Sequence, residues 1–192
     1  MKKFFMILMM AAVTAAMCVA FAACGGDNAG GAGDEEEAQY AIEELENGTS
    51  LGTFTSTDLN GNEVTEAIFA EKDVTVLNVW GTFCGPCKDE MPELAEWDKE
   101  LPDNVQIIGV VIDNPEGDTE TTDLAKEICK DTGVTYTNII ASESVDKMFS
   151  DVEAIPTTFI LDKEGKTVCT PIVGNDVQRY KNAVQEYLDQ AD

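Results

Sequence analysis

The sequence predicts an α/β sandwich, in which helices flank a central mixed β-sheet and a β-hairpin is added on the N-terminal side. Residues 74–80 form a continuous run of β-type residues, as expected of a strand buried on both faces. From Cys84 to about Leu101 the apolar residues recur at helical spacing. The alternation of strand and helix then continues and ends in a hairpin and a closing helix, which is typical of a layered α/β domain.

Each element has its own signal in the sequence. Asn60-Gly61 is a strong turn signal, so residues 54–64 are predicted to form the added hairpin. Pro92 lies within the helix that starts near Cys84, and we expect it to kink that helix. Further strands are predicted at residues 105–112, 135–140, 157–161 and 166–170, and further helices at residues 122–131, 144–149 and 177–188.

Composition excludes several classes of function. The 192 residues include 37 acidic and 12 basic side chains, which give a formal net charge of −25. Such a charge repels nucleic acid phosphates and anionic lipid headgroups, so we expect neither as a partner. The sequence contains no histidine, which excludes nucleophiles activated by histidine and metal sites with histidine ligands.

Residues 1–23 have the features of a secretory signal. Two lysines precede an apolar run at residues 4–19, and small residues then lead to Cys24. The segment resembles a bacterial lipoprotein signal, although Phe21 stands where leucine is usual. The resemblance implies that Cys24 is lipidated and anchors the chain on the extracytoplasmic face of the cell membrane. The alternative is an uncleaved transmembrane anchor, for which the apolar run is short.

The rest of the chain divides into a tether and one domain. Residues 24–50 are rich in glycine and in acidic side chains, which predicts a flexible and well-solvated spacer. Residues 51–192 remain as a folded domain, and this length is sufficient for a hydrophobic core of its own.

Cys84 and Cys87 follow the central strand directly and open the next helix, with a Gly-Pro dipeptide between them. The N-terminus of a helix offers free N–H groups and partial positive charge, which favour a thiolate. We expect the outer Cys84 to attack a substrate disulfide and Cys87 to resolve the mixed disulfide. The alternative is a zinc site, but it would need further ligands, and Cys129 and Cys169 do not form a second such motif.

With these motifs, the chain from about residue 51 to residue 188 resembles the thioredoxin superfamily, and within it the membrane-tethered TlpA/ResA-like branch. The matching stretches are VLNVWGTFCGPC at 76–87, KDEMP at 88–92 and IPTTFILD at 155–162. The resemblance implies a catalytic cis-proline, Pro156, that faces the cysteines. It also implies backbone pairing of substrate with Ile155, apolar contact of substrate with Phe83, and a monomer that needs no cofactor or metal.

The chain departs from thioredoxins proper behind the two cysteines. Asn78 stands where thioredoxins have a buried aspartate, so that proton acceptor is missing. Glu90 is a candidate to accept the proton of Cys87, although the favoured interpretation is that Glu90 caps or solvates its helix. Cys129 and Cys169 lie outside the motif, and the sequence leaves open a structural disulfide, two buried thiols or a second redox pair.

The residues between the cysteines influence thiolate stability, and Gly-Pro is the pair found in reducing thioredoxins. We therefore expect an extracytoplasmic disulfide reductase that receives electrons from a transmembrane donor, as the resemblance implies. The expected clients are disulfide-bearing proteins: apocytochrome c during cytochrome c maturation, a methionine sulfoxide or peroxide reductase, or misoxidised secreted proteins. The alternatives are a disulfide-forming oxidase on the same fold and a non-catalytic metal-binding lipoprotein, which the lack of histidine disfavours.

Overall fold

The computed structural model describes residues 47–191, with only the backbone of residue 191. The predictions for the signal segment, for Cys24 and for most of the tether lie outside these residues. The strands are β1 Thr55–Thr57, β2 Glu63–Thr65, β3 Val74–Trp80, β4 Val105–Pro115, β5 Asn138–Ala141, β6 Thr157–Asp162 and β7 Ile172–Val173. The α-helices are α1 Gly85–Asp98, α2 Thr119–Thr132, α3 Glu143–Met148 and α4 Val177–Ala191, with a 3-10 helix at Glu66–Glu71.

Strands β3 to β7 form one mixed sheet in the order β5-β4-β3-β6-β7, which confirms the predicted fold class. β3 runs parallel to β4, with Leu77 opposite Ile108, and antiparallel to β6, with Leu77 opposite Phe159. β4 runs parallel to β5, whereas β7 is antiparallel to β6. Every residue of the central β3 is buried, which accounts for its continuous β-type sequence.

Alternate residues of β3 face two different cores. Leu77 and Val79 pack with the N-terminal hairpin and with α3 on one side of the sheet. Val76 packs on the other side, among residues of α1 and α4. Since side chains alternate along a strand, Asn78 points to the same side as Val76. A buried polar side chain therefore lies between the sheet and the two helices.

The N-terminal hairpin is confirmed as an antiparallel pair of β1 and β2. At its turn, the side chain of Asp58 accepts the backbone N–H of Asn60 at 2.8 Å. Gly61 has a φ of 85°, a conformation that glycine adopts far more readily than other residues. The hairpin is attached to the sheet through Ser56, whose hydroxyl donates to the carbonyl of Ile140 at 2.6 Å.

Two predicted boundaries differ from those in the structure. α2 starts at Thr119 rather than at residue 122, because Asp118 caps its N-terminus and accepts the N–H groups of Glu120 and Thr121. β5 starts at Asn138 rather than at residue 135. The helix that contains Pro92 continues through it to Asp98.

The predicted second arm of the closing hairpin, residues 166–170, forms only in part. Thr167 lies opposite Leu161 in an antiparallel bridge, and Val168 donates its N–H to the carbonyl of Ile160 at 2.9 Å. The same segment also bonds to the chain before β1. Thr167 donates its N–H to the carbonyl of Thr49 at 2.9 Å, and Gly48 donates to the carbonyl of Thr167 at 2.6 Å. On the side of β6 away from β3, the edge strand is β7, and Cys169 lies in a bend between β6 and β7. Within residues 47–191, no helix has the length and apolar character needed to cross a membrane.

Candidate active site

The two cysteines of the motif lie at the start of α1, directly after β3. Cys84 is the N-cap residue, and its Sγ accepts the backbone N–H of Cys87 at 3.2 Å. The two side chains form a disulfide, with their Cα atoms 5.3 Å apart. Cys87 is completely buried and Cys84 is 5% exposed, so Cys84 is the outer residue of the pair. Pro86 lies in the first turn, where its missing N–H is not needed.

The loop before Cys84 is held by two charged side chains. Asp113, near the end of β4, accepts the backbone N–H of Thr82 at 3.0 Å and the Thr82 hydroxyl at 2.6 Å. Lys88 Nζ donates to the carbonyl of Thr82 at 3.1 Å. The role of Asp113 is not evident from the sequence. The sequence does place an acidic residue at the carboxyl end of the strand that follows β3. Because the carboxyl ends of parallel strands meet at one edge of a sheet, this position could have marked Asp113 as a residue near the cysteines.

The peptide bond between Ile155 and Pro156 is cis. The carbonyl oxygen of Ile155 lies 3.7 Å from Cys84 Sγ, although the two residues are 71 positions apart in the chain. The carbonyl of Pro156 accepts the N–H of Gly174 at 2.8 Å, just after β7. The fold therefore brings Ile155 and Pro156 to the cysteine pair and links them to the loop before α4.

Two exposed apolar side chains lie on the chain segments next to Cys84 and next to Pro156. Phe83 is 71% exposed, and Val173 of β7 is 42% exposed. A Cβ atom on Gly81 would come within 3.0 Å of the Phe83 ring and 3.2 Å of the Ile155 side chain, so these two side chains meet above Gly81. An apolar surface thus lies beside Cys84 and could contact a substrate.

Glu90 lies three residues after Cys87 and on the buried side of α1, where it is only 4% exposed. Asn78 Nδ2 donates to its Oε1 at 2.7 Å, and the Tyr180 hydroxyl donates to its Oε2 at 3.0 Å. Burial raises the pKa of Glu90 to about 7, although both hydrogen bonds oppose the rise. The favoured interpretation, that Glu90 caps or solvates its helix, is therefore wrong. A carboxyl group able to exchange a proton near neutral pH lies behind Cys87.

Glu90 belongs to a buried polar cluster with Asn78, Thr158 and Tyr180. Asn78 Nδ2 also donates to Thr158 Oγ1 at 3.0 Å, which joins β3 to β6. Among the described residues, Asn78 Oδ1 is the one buried side-chain oxygen or nitrogen without a hydrogen-bond partner, so the cluster retains an open acceptor. Tyr180 is not recognisable as a site residue from the sequence, because a tyrosine on the apolar side of a helix is an ordinary core residue.

The other two described cysteines are free thiols, Cys129 in α2 and Cys169 in the bend before β7. Burial raises the pKa of Cys129 to about 11 and also raises the pKa of Cys169. They pack in different parts of the core, so the structure favours two free thiols, Cys129 buried and Cys169 half-buried, over a second disulfide. Within residues 47–191, no group of three or more cysteine and carboxylate side chains is placed to hold a metal ion.

Residues 48–168 match the AhpC/TSA family, which is more than half of the chain. The chain belongs to the AhpC/TSA family. Within this family, the chain is 32% identical over 148 residues to the thiol-disulfide oxidoreductase ResA of Bacillus thuringiensis subsp. konkukian (strain 97-27), a match that covers 76% of this chain and 79% of the relative. The AhpC/TSA match and the ResA relative together confirm the resemblance found in the sequence.

Solved structures of the same fold include a DsbF homologue from Corynebacterium diphtheriae, with a TM-score of 0.61 and 22% identity. That match covers 72% of this chain and 87% of the homologue. A thioredoxin-family thiol:disulfide interchange protein from Chlorobium tepidum TLS matches with a TM-score of 0.60 and 22% identity over 73% of this chain and 97% of that protein. This AhpC/TSA member is therefore a thiol-disulfide oxidoreductase of ResA type with a thioredoxin-like fold.

Proposed function

We propose that the protein is a disulfide reductase in which Cys84 is the attacking residue and Cys87 the resolving residue. The observation that carries the proposal is the position of Cys84. It caps the N-terminus of α1, is bonded to Cys87 and faces the carbonyl of Ile155. A sulfur at the N-terminus of a helix is favoured as a thiolate, both as attacking and as leaving group.

The reaction transfers two electrons from the dithiol to the client. The Cys84 thiolate attacks one sulfur of the client disulfide, which forms a mixed disulfide and releases the other client sulfur as a thiolate. Cys87 then gives its proton to Glu90 and attacks Cys84 Sγ, which breaks the mixed disulfide and releases the second client sulfur as a thiolate. The enzyme is left with the Cys84–Cys87 disulfide seen in the structure. Glu90 suits this step because it lies one helical turn from Cys87 and its pKa is about 7.

The client would bind on the apolar surface beside Cys84. Phe83 is its most exposed apolar side chain, at 71%. The backbone of Ile155, next to Pro156, would pair with an extended segment of the client, because its carbonyl faces the reacting sulfur. The client would thus be held by main-chain hydrogen bonds and apolar contact, and this suits a range of disulfide-bearing sequences.

We further propose an extracytoplasmic location for this reductase. The support is in the sequence: residues 1–23 have the pattern of a secretory signal, and Cys24 follows it as a candidate for lipidation. A reductase outside the membrane needs re-reduction after each turnover, so a transmembrane electron donor is the expected partner. Apocytochrome c and other exported proteins with oxidised cysteines are the expected clients of the membrane-anchored monomer.

The equilibrium reduction potential of the Cys84–Cys87 pair tests the direction of the reaction. The full chain would be equilibrated with thiol buffers, trapped with an alkylating reagent and analysed by mass spectrometry. A value near or below about −230 mV, the range of reducing proteins of this fold, is expected. A value near about −120 mV would contradict the proposal, because the same residues would then form disulfides in clients.

A further inference from the structure

The hydroxyl of Tyr180 lies between two acceptors. It is 3.0 Å from Glu90 Oε2 and 2.6 Å from the carbonyl oxygen of Gly174. The Tyr180 side chain is completely buried, so water does not compete for either contact. A phenol has a single hydrogen and can donate fully to only one of these groups at a time.

The proton on Glu90 decides which of the two acceptors receives this hydrogen. When Glu90 is protonated, its own O–H can donate to Tyr180 Oη, and Tyr180 can donate to Gly174, so all three groups are satisfied. When Glu90 is ionised, the carboxylate is the stronger acceptor and draws the hydrogen of Tyr180 to itself. The carbonyl of Gly174 then loses its donor.

Through Gly174, the position of the Tyr180 hydrogen affects the surface where the client would bind. Its N–H donates to the carbonyl of Pro156 at 2.8 Å. The neighbouring Val173 pairs with Thr157 across β6 and β7. Ile155, on the other side of Pro156, faces Cys84 Sγ. A continuous series of contacts therefore runs from Glu90 through Tyr180 and Gly174 to the residues beside the reacting sulfur.

We propose that Tyr180 is a positioning residue that couples the proton on Glu90 to the loop at Gly174 and, through it, to Ile155 and Pro156. Before Cys87 gives up its proton, Glu90 is ionised and Tyr180 leaves Gly174 free to adapt to the client. After the transfer, Tyr180 donates to Gly174 and fixes the loop in the conformation of the disulfide form. The inference rests on the proposed redox role of Cys84 and Cys87.

Of the charged and titratable groups in this region, Glu90 is the one that titrates near neutral pH. On α1 these groups are Cys87, which is bonded in the disulfide form, and Glu93, which is half exposed and paired with Lys181 of α4 at 2.9 Å. β3 and β6 contribute only neutral polar side chains. Burial raises the pKa values of Tyr180 and of Tyr136, so neither phenol ionises in this range.

The test is a pH titration by nuclear magnetic resonance of the full chain in detergent, in the disulfide form. The carboxyl carbon of Glu90 reports its proton. The amide nitrogen of Asn175 reports the hydrogen bond to the adjacent Gly174 carbonyl. We expect both signals to titrate with one midpoint in the unmodified protein. Different midpoints, or an Asn175 signal that does not titrate, would overturn the inference.

Tyr180→Phe keeps the buried ring and removes the hydroxyl. In this variant we expect the titration of Asn175 to disappear. The Glu90 midpoint should rise by about one pH unit, because the ionised carboxylate loses a charge-assisted hydrogen bond. Tyr187→Phe, on the same helix but away from Glu90, is the matched control and should change neither signal. An unchanged Asn175 titration in Tyr180→Phe would refute the coupling.

Two further measurements cover a variant that does not fold and a protein without turnover. If Tyr180→Phe fails to fold, the Asn175 titration is measured in Glu90→Gln instead. Loss of this titration supports the coupling, and its persistence refutes the coupling. Turnover of a client disulfide by the unmodified chain is measured separately. If the protein does not turn over the client but the two midpoints agree, the proposed function is rejected and the coupling through Tyr180 is retained. If turnover is normal but the midpoints differ, only the coupling is rejected.

Discussion

Cys84 and Cys129 are almost equally buried, at 5% and 8% exposure, yet they occupy opposite ends of their helices. Cys84 caps the N-terminus of α1, where a backbone N–H points at its sulfur. Cys129 lies in the last turn of α2, and its own carbonyl accepts the N–H of Val134 at 2.8 Å beyond the helix end. Because the helix dipole is positive at the N-terminus and negative at the C-terminus, only Cys84 is placed to form a thiolate. Burial alone therefore does not decide which thiol reacts.

The largest expected effect is the loss of turnover when Cys84 is changed. Cys84→Ser should reduce a client disulfide at the uncatalysed rate, because no attacking sulfur remains. Cys129→Ser should retain the activity of the unmodified protein, apart from any loss of stability. Cys87→Ser should trap covalent complexes with the client, which gel electrophoresis without reductant would detect. Undiminished turnover in Cys84→Ser would contradict the assigned mechanism.

The second prediction concerns the same two thiols in the reduced protein. At pH 7 a thiol with a pKa of about 11, as for Cys129, is ionised in roughly one molecule in ten thousand. The Cys84 thiolate is stabilised by the helix N-terminus, so Cys84 should react with iodoacetamide at least about a thousandfold faster. Peptide mass spectrometry over time would measure both rates. Similar rates would mean that the helix ends do not distinguish the thiols.

The third prediction concerns Glu90, which lies behind Cys87 on α1. Its folded-state pKa is raised from 4.5 to about 7, so the folded protein keeps a proton that the unfolded chain loses. Glu90 therefore lowers stability progressively as the pH rises from about 4.5 to about 7, by about 3 kcal/mol in all. Glu90→Gln should remove this dependence and be the more stable protein at pH 8. Urea unfolding of the disulfide form over this pH range would measure it.

The control for this measurement is Glu127→Gln, which makes the same change on an exposed position of α2. We expect its stability to follow that of the unmodified protein across the whole pH range. If the free energy of unfolding of Glu90→Gln changes with pH in parallel with that of the unmodified protein, the proton on Glu90 does not affect stability.

The sequence predicted the parts of this site that depend on neighbouring residues. A strand followed at once by Cys84, Cys87 and a helix is a local pattern, and it located the reactive pair. Glu90 was recognised only as a candidate, because its burial depends on Tyr180, which lies 90 residues away in α4. The boundary between the tether and the folded domain depends on distant residues in the same way. Residues 48–51 bond to residues 165–167, and no local pattern indicates such a pairing.

The smallest expected effect is on client binding, and it compares one exposed apolar residue in the loop before α1 with one in α2. Phe83 is 71% exposed beside Cys84, and Leu124 is 45% exposed on α2. If Phe83 contacts the client, Phe83→Ala should raise KM about three- to tenfold, the effect of losing roughly one apolar contact of 1 kcal/mol, and leave kcat nearly unchanged. Leu124→Ala should change neither constant. Equal effects of the two variants would place the client elsewhere, since Phe83 would then have no special position relative to the reacting sulfur.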